Sequence, residues 1–300
     1  SVGSGFITYM TGKLLFIYNP YAGKGKIRAE LPDIIEVFAG NGYEVTVYPT
    51  RQTGDVVQCA GERGAGYDLI VCSGGDGTLD EVVTGIMESK RNVPIGYIPA
   101  GSTNDFGISL GLPKNMTEAA RIAVNGRRFA CDVGAFNEDT FVYIAAFGIF
   151  TDVSYETPQS FKNVLGHMAY ILEGVKRLSG LRTYRMRAVY NGTEIEDEFL
   201  FGMITNSSSV GGFKKITGKY VELNDGLFEV MLIRKPKNAL ELNQIVISLM
   251  AESMESECII CGKTDRIVLQ AEEETAWTLD GEFGGNHKKV TIRNRPKAIT

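Results

Sequence analysis

Between Lys13 and Arg128, short apolar runs alternate with amphipathic stretches, and this alternation constrains the fold more than any other feature of the chain. Four of the runs read as buried strands: LLFIY, YEVTVY, YDLIVCS and VPIGYIP. The stretches between them, such as AELPDIIEVFAG and LDEVVTGIMES, carry apolar residues three and four positions apart, as a helix packed on a sheet requires. Strands that alternate with such helices predict a parallel sheet covered by helices.

After Arg128 the sequence changes to strands that alternate with tight turns. Asn191-Gly192, between two strand-like runs, favours a type I′ hairpin. Two core helices are predicted within this half, one around residues 163–178 and one around residues 239–252. The chain of 300 residues therefore predicts two domains, an α/β Rossmann-like domain over 10–129 and a mainly antiparallel, β-sandwich-like domain over 130–300.

Composition excludes several classes of protein. The formal net charge of −5 removes the broad electrostatic attraction that a nucleic-acid partner would need. Polar residues or glycine interrupt every apolar run before it is long enough to cross a bilayer. Five cysteines without the spacing of a disulfide framework favour a reducing cytoplasm. Residues 1–9 lack the features of a secretory signal, and we expect Met10 to be the natural first residue.

The most informative motif is SGGDGT, which follows the third apolar run and opens a helical pattern. Open α/β sheets bind ligands at the carboxyl ends of their strands. Glycines allow the backbone to approach a phosphate, and the N–H groups of a helix start meet its negative charge. Asp76 would repel a phosphate, so we expect it to orient Mg²⁺, its waters or neighbouring donors. Taken alone, the motif could also be a plain strand-to-helix turn.

Two further loops support a phosphate site. The first apolar run ends in NPYAGKGK, where glycines free the backbone and lysines supply positive charge. The fourth ends in PAGSTNDF, which is rich in small hydroxyls and amides that donate to phosphate oxygens. A structural turn explains any one of these loops, but chance explains three of them poorly.

NPYAGKGK, SGGDGTLDEV and PAGSTNDFG, in this order and spacing, resemble the signature loops of the diacylglycerol/sphingosine kinase catalytic domain. The likeness extends into the second half of the chain. The resemblance implies that the Gly-Gly-Asp-Gly loop replaces a Walker P-loop and that ATP and Mg²⁺ are used. It implies nucleotide contacts from Asn19, Pro20, Tyr21, Ala22, Gly23, Thr50, Gly74, Gly75, Asp76, Gly77, Thr78, Ser102, Thr103 and Asn104. Asp80 departs from the family, which usually has Asn there, and it either helps to hold metal or alters the local geometry.

The same resemblance implies functions for two acidic turns in the second half of the chain. LNDGLF alone reads as a hairpin turn, but the resemblance implies a structural Mg²⁺ held by Asp225 and by the backbone of Glu222 and Leu227. WTLDGE alone also reads as a turn. The resemblance points to Asp280 as the general base, with Glu282 as its partner or as the true base. The chain has only two histidines, which favours a carboxylate as the proton acceptor.

The resemblance also implies a role for one further acid. Asp132, in CDVG, matches another family carboxylate that ties together the water network around Mg²⁺. These assignments make the first domain the nucleotide-binding domain and the second the substrate and metal domain, with the lipid hydroxyl presented in a cleft between them.

The predicted function is transfer of the γ-phosphate of ATP to a lipid hydroxyl, with diacylglycerol as the best single acceptor and phosphatidic acid as the product. Monoacylglycerol, phosphatidylglycerol, undecaprenol or a sphingoid base would need the same catalytic groups, so these acceptors stay open. One alternative is an NAD kinase-like phosphotransferase, which shares the glycine loop and a related two-domain plan; the three loops and the late Asp-Gly-Glu argue against it. The other is a regulator that binds the nucleotide without turnover; the retained acids argue against it.

The expected partners follow from the lipid substrate. A cytoplasmic enzyme must dock transiently on the inner face of the membrane, and the candidate residues for this contact are Lys162, Lys214, Lys215 and Lys219. No nucleic acid is expected. The oligomeric state stays open, with a homodimer through an exposed sheet edge as one arrangement.

Overall fold

The computed structural model describes residues 12–101, 104–148, 164–175, 177–206, 223–251, 253 and 256–300. The chain divides into two compact units. The amino-terminal unit contains the residues up to Phe129 together with Ile299–Thr300, and the carboxyl-terminal unit is Ala130–Ala298. The last two residues belong to the first unit because the carbonyl of Thr300 accepts a 2.8 Å hydrogen bond from the N–H of Ile95.

The amino-terminal unit contains a four-stranded sheet in the order β2-β1-β3-β4, in which every pairing is parallel. Its strands are β1 Gly12–Tyr18, β2 Tyr43–Pro49, β3 Leu69–Gly74 and β4 Ile95–Pro99. Its helices are α1 Ile27–Gly40, α2 Asp55–Arg63, α3 Asp76–Ser89, α4 Asp105–Ser109 and α5 Met116–Asn125. The predicted parallel α/β sheet is confirmed.

Apolar spacing explains how this unit is held together. In α1, Ile27, Ile34 and Phe38 recur on one face and are fully buried, as a helix on a sheet requires. The ring of Phe38 meets that of Phe16 in β1 edge to face, with 5.3 Å between centroids. Every residue of β3 is buried, because helices pack on both of its sides.

Strand order determines where a ligand can bind. After β1, the next strand, β2, is added at one edge of the sheet. After β3, the next strand, β4, is added at the opposite edge. The carboxyl ends of β1 and β3 therefore lie at the topological switch point, where the diverging connections leave a crevice. The loops that follow these two strands are NPYAGKGK and SGGDGT, which places both motifs at this point.

The carboxyl-terminal unit is built on a nine-stranded sheet whose described pairings are antiparallel. Its strands are β5 Cys131–Phe136, β6 Asp139–Phe141, β7 Ile144–Gly148, β8 Tyr184–Tyr190, β9 Thr193–Thr205, β10 Phe228–Arg234, β11 Ile259–Thr264, β12 Arg266–Leu279 and β13 Glu282–Ile299. Within the described residues of this unit, the α-helices are α6 Val164–Glu173 and α7 Ala239–Ala251. The predicted antiparallel architecture is confirmed.

Long strands in this unit change partners along their length. β12 pairs with β8 through residues 268–271 and with β7 through residues 277–279. The sheet therefore folds over a core that includes Trp277, Phe136 and Phe147, with ring centroids 4.9–5.1 Å apart around the tryptophan. The turn between β8 and β9 has positive φ at Asn191 and Gly192, 52° and 72°, as the predicted type I′ hairpin requires.

The two helices of this unit lie where the periodicity predicts them. Leu165, Met168 and Leu172 of α6 are buried, which confirms a helix with one core face. In the part of the chain that the structure describes, no helix has the length and apolar character needed to span a membrane.

Candidate functional site

The loops after β1, β3 and β4 are joined to each other by backbone hydrogen bonds. The N–H of Asn19 donates to the carbonyl of Ser73 at 2.9 Å, and the N–H of Ala100 donates to the carbonyl of Gly74 at 2.8 Å. On the other side of β1, the N–H of Thr50 donates to the carbonyl of Tyr18 at 2.9 Å. The predicted phosphate-binding loops therefore form one continuous edge of the amino-terminal unit.

Two glycines at this edge are needed because the loops approach each other so closely. A Cβ atom at Gly23 would stand 2.6 Å from the carbonyl oxygen of Ala100, and Gly23 has φ +59°. A Cβ atom at Gly101 would stand 2.5 Å from the Cα atom of Gly75. The close packing of the loops by itself explains why both positions are glycine, without any contact with a ligand.

Gly75 differs from these glycines. A Cβ atom there would have only the Cα atom of Gly101 within 4 Å, at an ordinary contact distance of 3.6 Å. Its φ of −79° and ψ of −176° are open to any residue. Gly75 immediately precedes the first turn of α3, whose N–H groups form an anion site by geometry and dipole. The packing of the protein itself therefore does not require glycine at this position.

Asp76 connects two of the loops. Its carboxylate is buried and accepts hydrogen bonds from the N–H groups of Asp105, at 3.0 Å, and Phe106, at 3.2 Å. These groups belong to the first turn of α4, where N–H groups have no partner within the helix. Of the roles predicted for Asp76, these contacts correspond to the orientation of neighbouring donors. Asp80 is half-buried one helical turn further along α3.

Tyr97 reinforces the same connection, although no sequence motif points to it. Its hydroxyl donates to the carbonyl of Gly74 at 3.2 Å and lies 3.5 Å from Oδ1 of Asn104. Burial, followed by the negative charge of Asp76, raises the pKa of Tyr97 well above its ordinary value, so the hydroxyl keeps its proton and stays a donor. The only sequence signal was one hydroxyl-bearing ring in the apolar run VPIGYIP.

Asn104 holds the loop after β4 in its folded form. It adopts a left-handed conformation with φ +54°, which asparagine tolerates better than most residues. Its side chain accepts from the N–H of Gly101 at 2.8 Å and donates to the carbonyl of Gly101 at 2.9 Å. Ser102 and Thr103, which were predicted to contact the nucleotide, lie outside the described residues.

The loop after β1 supplies positive charge to this edge. Lys24 and Lys26 are exposed, and Gly23, Lys24 and Gly25 have consecutive positive φ values of 59°, 61° and 78°. Tyr21 is 75% exposed, with the guanidinium of Arg28 5.1 Å from its ring centroid. The other predicted nucleotide residues of the described chain lie on these same loops and strand ends: Asn19, Pro20, Ala22, Thr50, Gly77 and Thr78.

Asp280 lies in the two-residue turn between β12 and β13, where positive φ at Asp280 and Gly281 fits a type I′ turn. Its buried carboxylate accepts hydrogen bonds from the N–H groups of three residues in a row, at 2.6–2.9 Å; these are Val142, Tyr143 and Ile144. Such bonds occupy lone pairs that a substrate proton would need. Glu282, two residues later, is exposed.

Asp132 is also engaged by its own unit. Its carboxylate is fully buried and accepts from the N–H of Lys297 at 2.8 Å, from the N–H of Gly226 at 2.7 Å and from the side-chain amide of Asn294 at 3.2 Å. It therefore binds the turn that contains Asp225 to the end of β13. No metal is needed to explain why this carboxylate is buried.

The residues around Asp225 do not fit the predicted structural Mg²⁺. One carboxylate oxygen of Asp225 accepts from the N–H of Leu227 at 2.9 Å, and the other accepts from the ammonium of Lys263 at 3.2 Å. Glu222 lies outside the described residues. Within the described ranges, no three His, Cys, Asp or Glu side chains are grouped to hold a metal ion.

Comparison with known proteins agrees with this geometry. Residues 13–136 match the model of the diacylglycerol kinase catalytic domain. The chain is 34% identical over 271 residues to a diacylglycerol kinase of Bacillus subtilis, covering 90% of this chain and 89% of the relative. It is 34% identical over 279 residues to a diacylglycerol kinase of Staphylococcus aureus, covering 92% and 88%.

Solved structures support the fold. The crystal structure of a diacylglycerol kinase from Bacillus anthracis aligns with a TM-score of 0.73 at 23% identity and covers 96% of each chain. A second crystal structure from the same strain gives a TM-score of 0.81 at 25% identity, covering 99% of this chain and 96% of that one. By loops, fold and sequence identity over nearly the whole length, the chain belongs to the diacylglycerol kinase family of lipid kinases.

Proposed function

We propose that this kinase transfers the γ-phosphate of ATP to the hydroxyl of diacylglycerol. The observation that carries the proposal is the N-terminus of α3 at the switch point of the sheet, next to Gly75, where the packing of the protein does not itself require glycine. Diacylglycerol is the acceptor in the names of the relatives, and the present chain has the same family loops in the same order.

We assign the nucleotide phosphates to the amino-terminal unit. The N–H groups of the first turn of α3 face a phosphate, and Lys24 and Lys26 add positive charge from the loop after β1. Phosphoryl transfer depends mainly on positioning and charge neutralisation, which a rigid set of loops supplies. Mg²⁺ is proposed to enter with ATP, where it neutralises phosphate charge.

We assign the proton acceptor to the Asp280-Gly281-Glu282 turn. A general base must have a free lone pair within hydrogen-bond reach of the hydroxyl. Asp280 accepts three backbone N–H groups, whereas Glu282 is exposed. Glu282 is therefore the better candidate for the base, and Asp280 the better candidate for the residue that positions the turn.

The acceptor is tested directly by supplying the protein with ATP labelled at the γ-phosphate. Separate reactions contain vesicles with diacylglycerol, vesicles without it, or NAD. We expect label in phosphatidic acid in the first reaction alone, with protein sedimenting with the vesicles because the reaction takes place at a membrane surface. Label on NAD would replace the proposal with an NAD kinase-like activity, and no label in any product would support a nucleotide-binding regulator.

The nucleotide site is tested by Gly75→Ala. We expect the melting temperature to stay unchanged, because a methyl group has ordinary contacts there, and the KM for ATP to rise roughly 10- to 100-fold as the methyl group keeps phosphate from the helix. Gly101→Ala is the matched control, since its methyl group meets backbone at 2.5 Å and should lower the melting temperature. An unchanged KM in a folded Gly75→Ala protein contradicts the site.

Tyr97→Phe tests whether the two loops must be joined for ATP to bind. Removing one buried hydroxyl should lower the free energy of unfolding by about 1 kcal/mol. If the hydroxyl also positions the loops, the KM for ATP rises roughly fivefold while kcat stays within about twofold. Tyr184→Phe, at a buried tyrosine of the carboxyl-terminal unit, is the control and should leave the KM unchanged. Equal KM values in the two variants would show that the Tyr97 hydroxyl contributes to stability but not to ATP binding.

Glu282→Gln and Asp280→Asn separate the base from the positioning residue. We expect Glu282→Gln to keep the melting temperature and to lower kcat about 100-fold or more. Asp280→Asn should lower the melting temperature, because the N–H₂ group of the new amide would face backbone N–H donors. A buried donor that is left without an acceptor costs about 1–3 kcal/mol. A stable but inactive Asp280→Asn protein beside an active Glu282→Gln protein would assign the base to Asp280.

A further inference from the structure

Lys263 occupies a fixed position beside the Asp225 turn. It lies in β11 directly opposite Glu229 of β10, in the antiparallel register that joins these strands. Residues directly opposite each other in such a pair have neighbouring side chains on one face of the sheet. The Lys263 ammonium lies 3.0 Å from Oε1 of Glu229 and 3.2 Å from Oδ2 of Asp225, so one cation joins two carboxylates.

These three side chains are largely shielded from water. Glu229 is 1% exposed as a residue, and the side chains of Lys263 and Asp225 are 22% and 18% exposed. Burial raises the pKa of Glu229, and Lys263 acts against that shift. Burial acts to lower the pKa of Lys263, but Glu229 and then Asp225 act in the opposite direction, and the net pKa is raised.

The turn around Asp225 is closed by the chain itself. Gly226 has φ +79°, the N–H of Leu227 donates to Asp225, and the N–H of Gly226 donates to the buried Asp132. Lys263 adds the positive charge that the acidic side of this turn requires. Residues of this chain therefore both close the turn and supply its positive charge, the two effects expected of a structural cation here.

We propose that the ammonium of Lys263 is the resident cation of the Asp225 turn, in the place where the family resemblance implies a structural Mg²⁺. A divalent ion on Asp225 would either lie close to the ammonium, which like charges oppose, or displace Lys263 from Glu229. Displacement would leave a buried carboxylate without its counterion, a strongly unfavourable arrangement. The fold of the carboxyl-terminal unit is therefore independent of divalent cations.

The test is thermal unfolding without nucleotide, first in EDTA and then with millimolar MgCl₂. The wild-type protein should melt at the same temperature, within about 1 °C, in both conditions. Lys263→Met should melt roughly 4 °C lower or more, because two carboxylates lose their shared cation. Lys263→Arg, which keeps the charge, should recover most of that loss.

Lys235→Met provides the matched control. Lys235 also pairs with a glutamate, Glu198, at 2.7 Å, but its side chain is 42% exposed, so removing it should change the melting temperature little. A Lys263→Met protein as stable as Lys235→Met would overturn the proposal. The proposal would also be contradicted if Mg²⁺ raised the wild-type melting temperature by several degrees and Asp225→Asn abolished that rise. If Lys263→Met fails to fold, the wild-type and Asp225→Asn measurements still decide the question.

Discussion

The candidate nucleotide site depends on one buried interaction, the carboxylate of Asp76 with the first turn of α4. Asp76 begins α3 after one strand, and α4 follows another, so this contact fixes the two loops relative to each other. The hydroxyl of Tyr97 and the close approach of Gly101 to Gly75 act between the same loops. Because these contacts are buried and hydrogen-bonded, the edge has its shape before any ligand arrives.

The carboxyl-terminal unit uses buried acids in the same way. Asp132 and Asp280 each accept three hydrogen bonds, and five of the six donors are backbone N–H groups from segments distant in sequence. An acid that is surrounded by N–H donors holds loops together strongly, since removing it would leave several buried donors unsatisfied. Positions that a family motif marks as acidic can therefore be acidic for folding as well as for chemistry.

The sequence predicted the fold well because its signals are local. Apolar runs and three- to four-residue spacing define the parallel sheet and its helices, and Asn191-Gly192 defines a hairpin. It could not predict that Asp76 would bind α4, that Tyr97 would reach Gly74, or that Lys263 would meet Asp225, which is 38 residues away. Those contacts depend on strand order and register, and one sequence carries no local signal for either.

Preorganisation also bears on the proposal that a chain with a net negative charge binds a polyanion. At the candidate phosphate site, the carboxylate of Asp76 faces the first turn of α4, while the lysines of the loop after β1 remain exposed. N–H dipoles that are held in place interact with phosphate more strongly than mobile ones, because they need no reorganisation. The proposed nucleotide site therefore relies on local arrangement rather than on total charge.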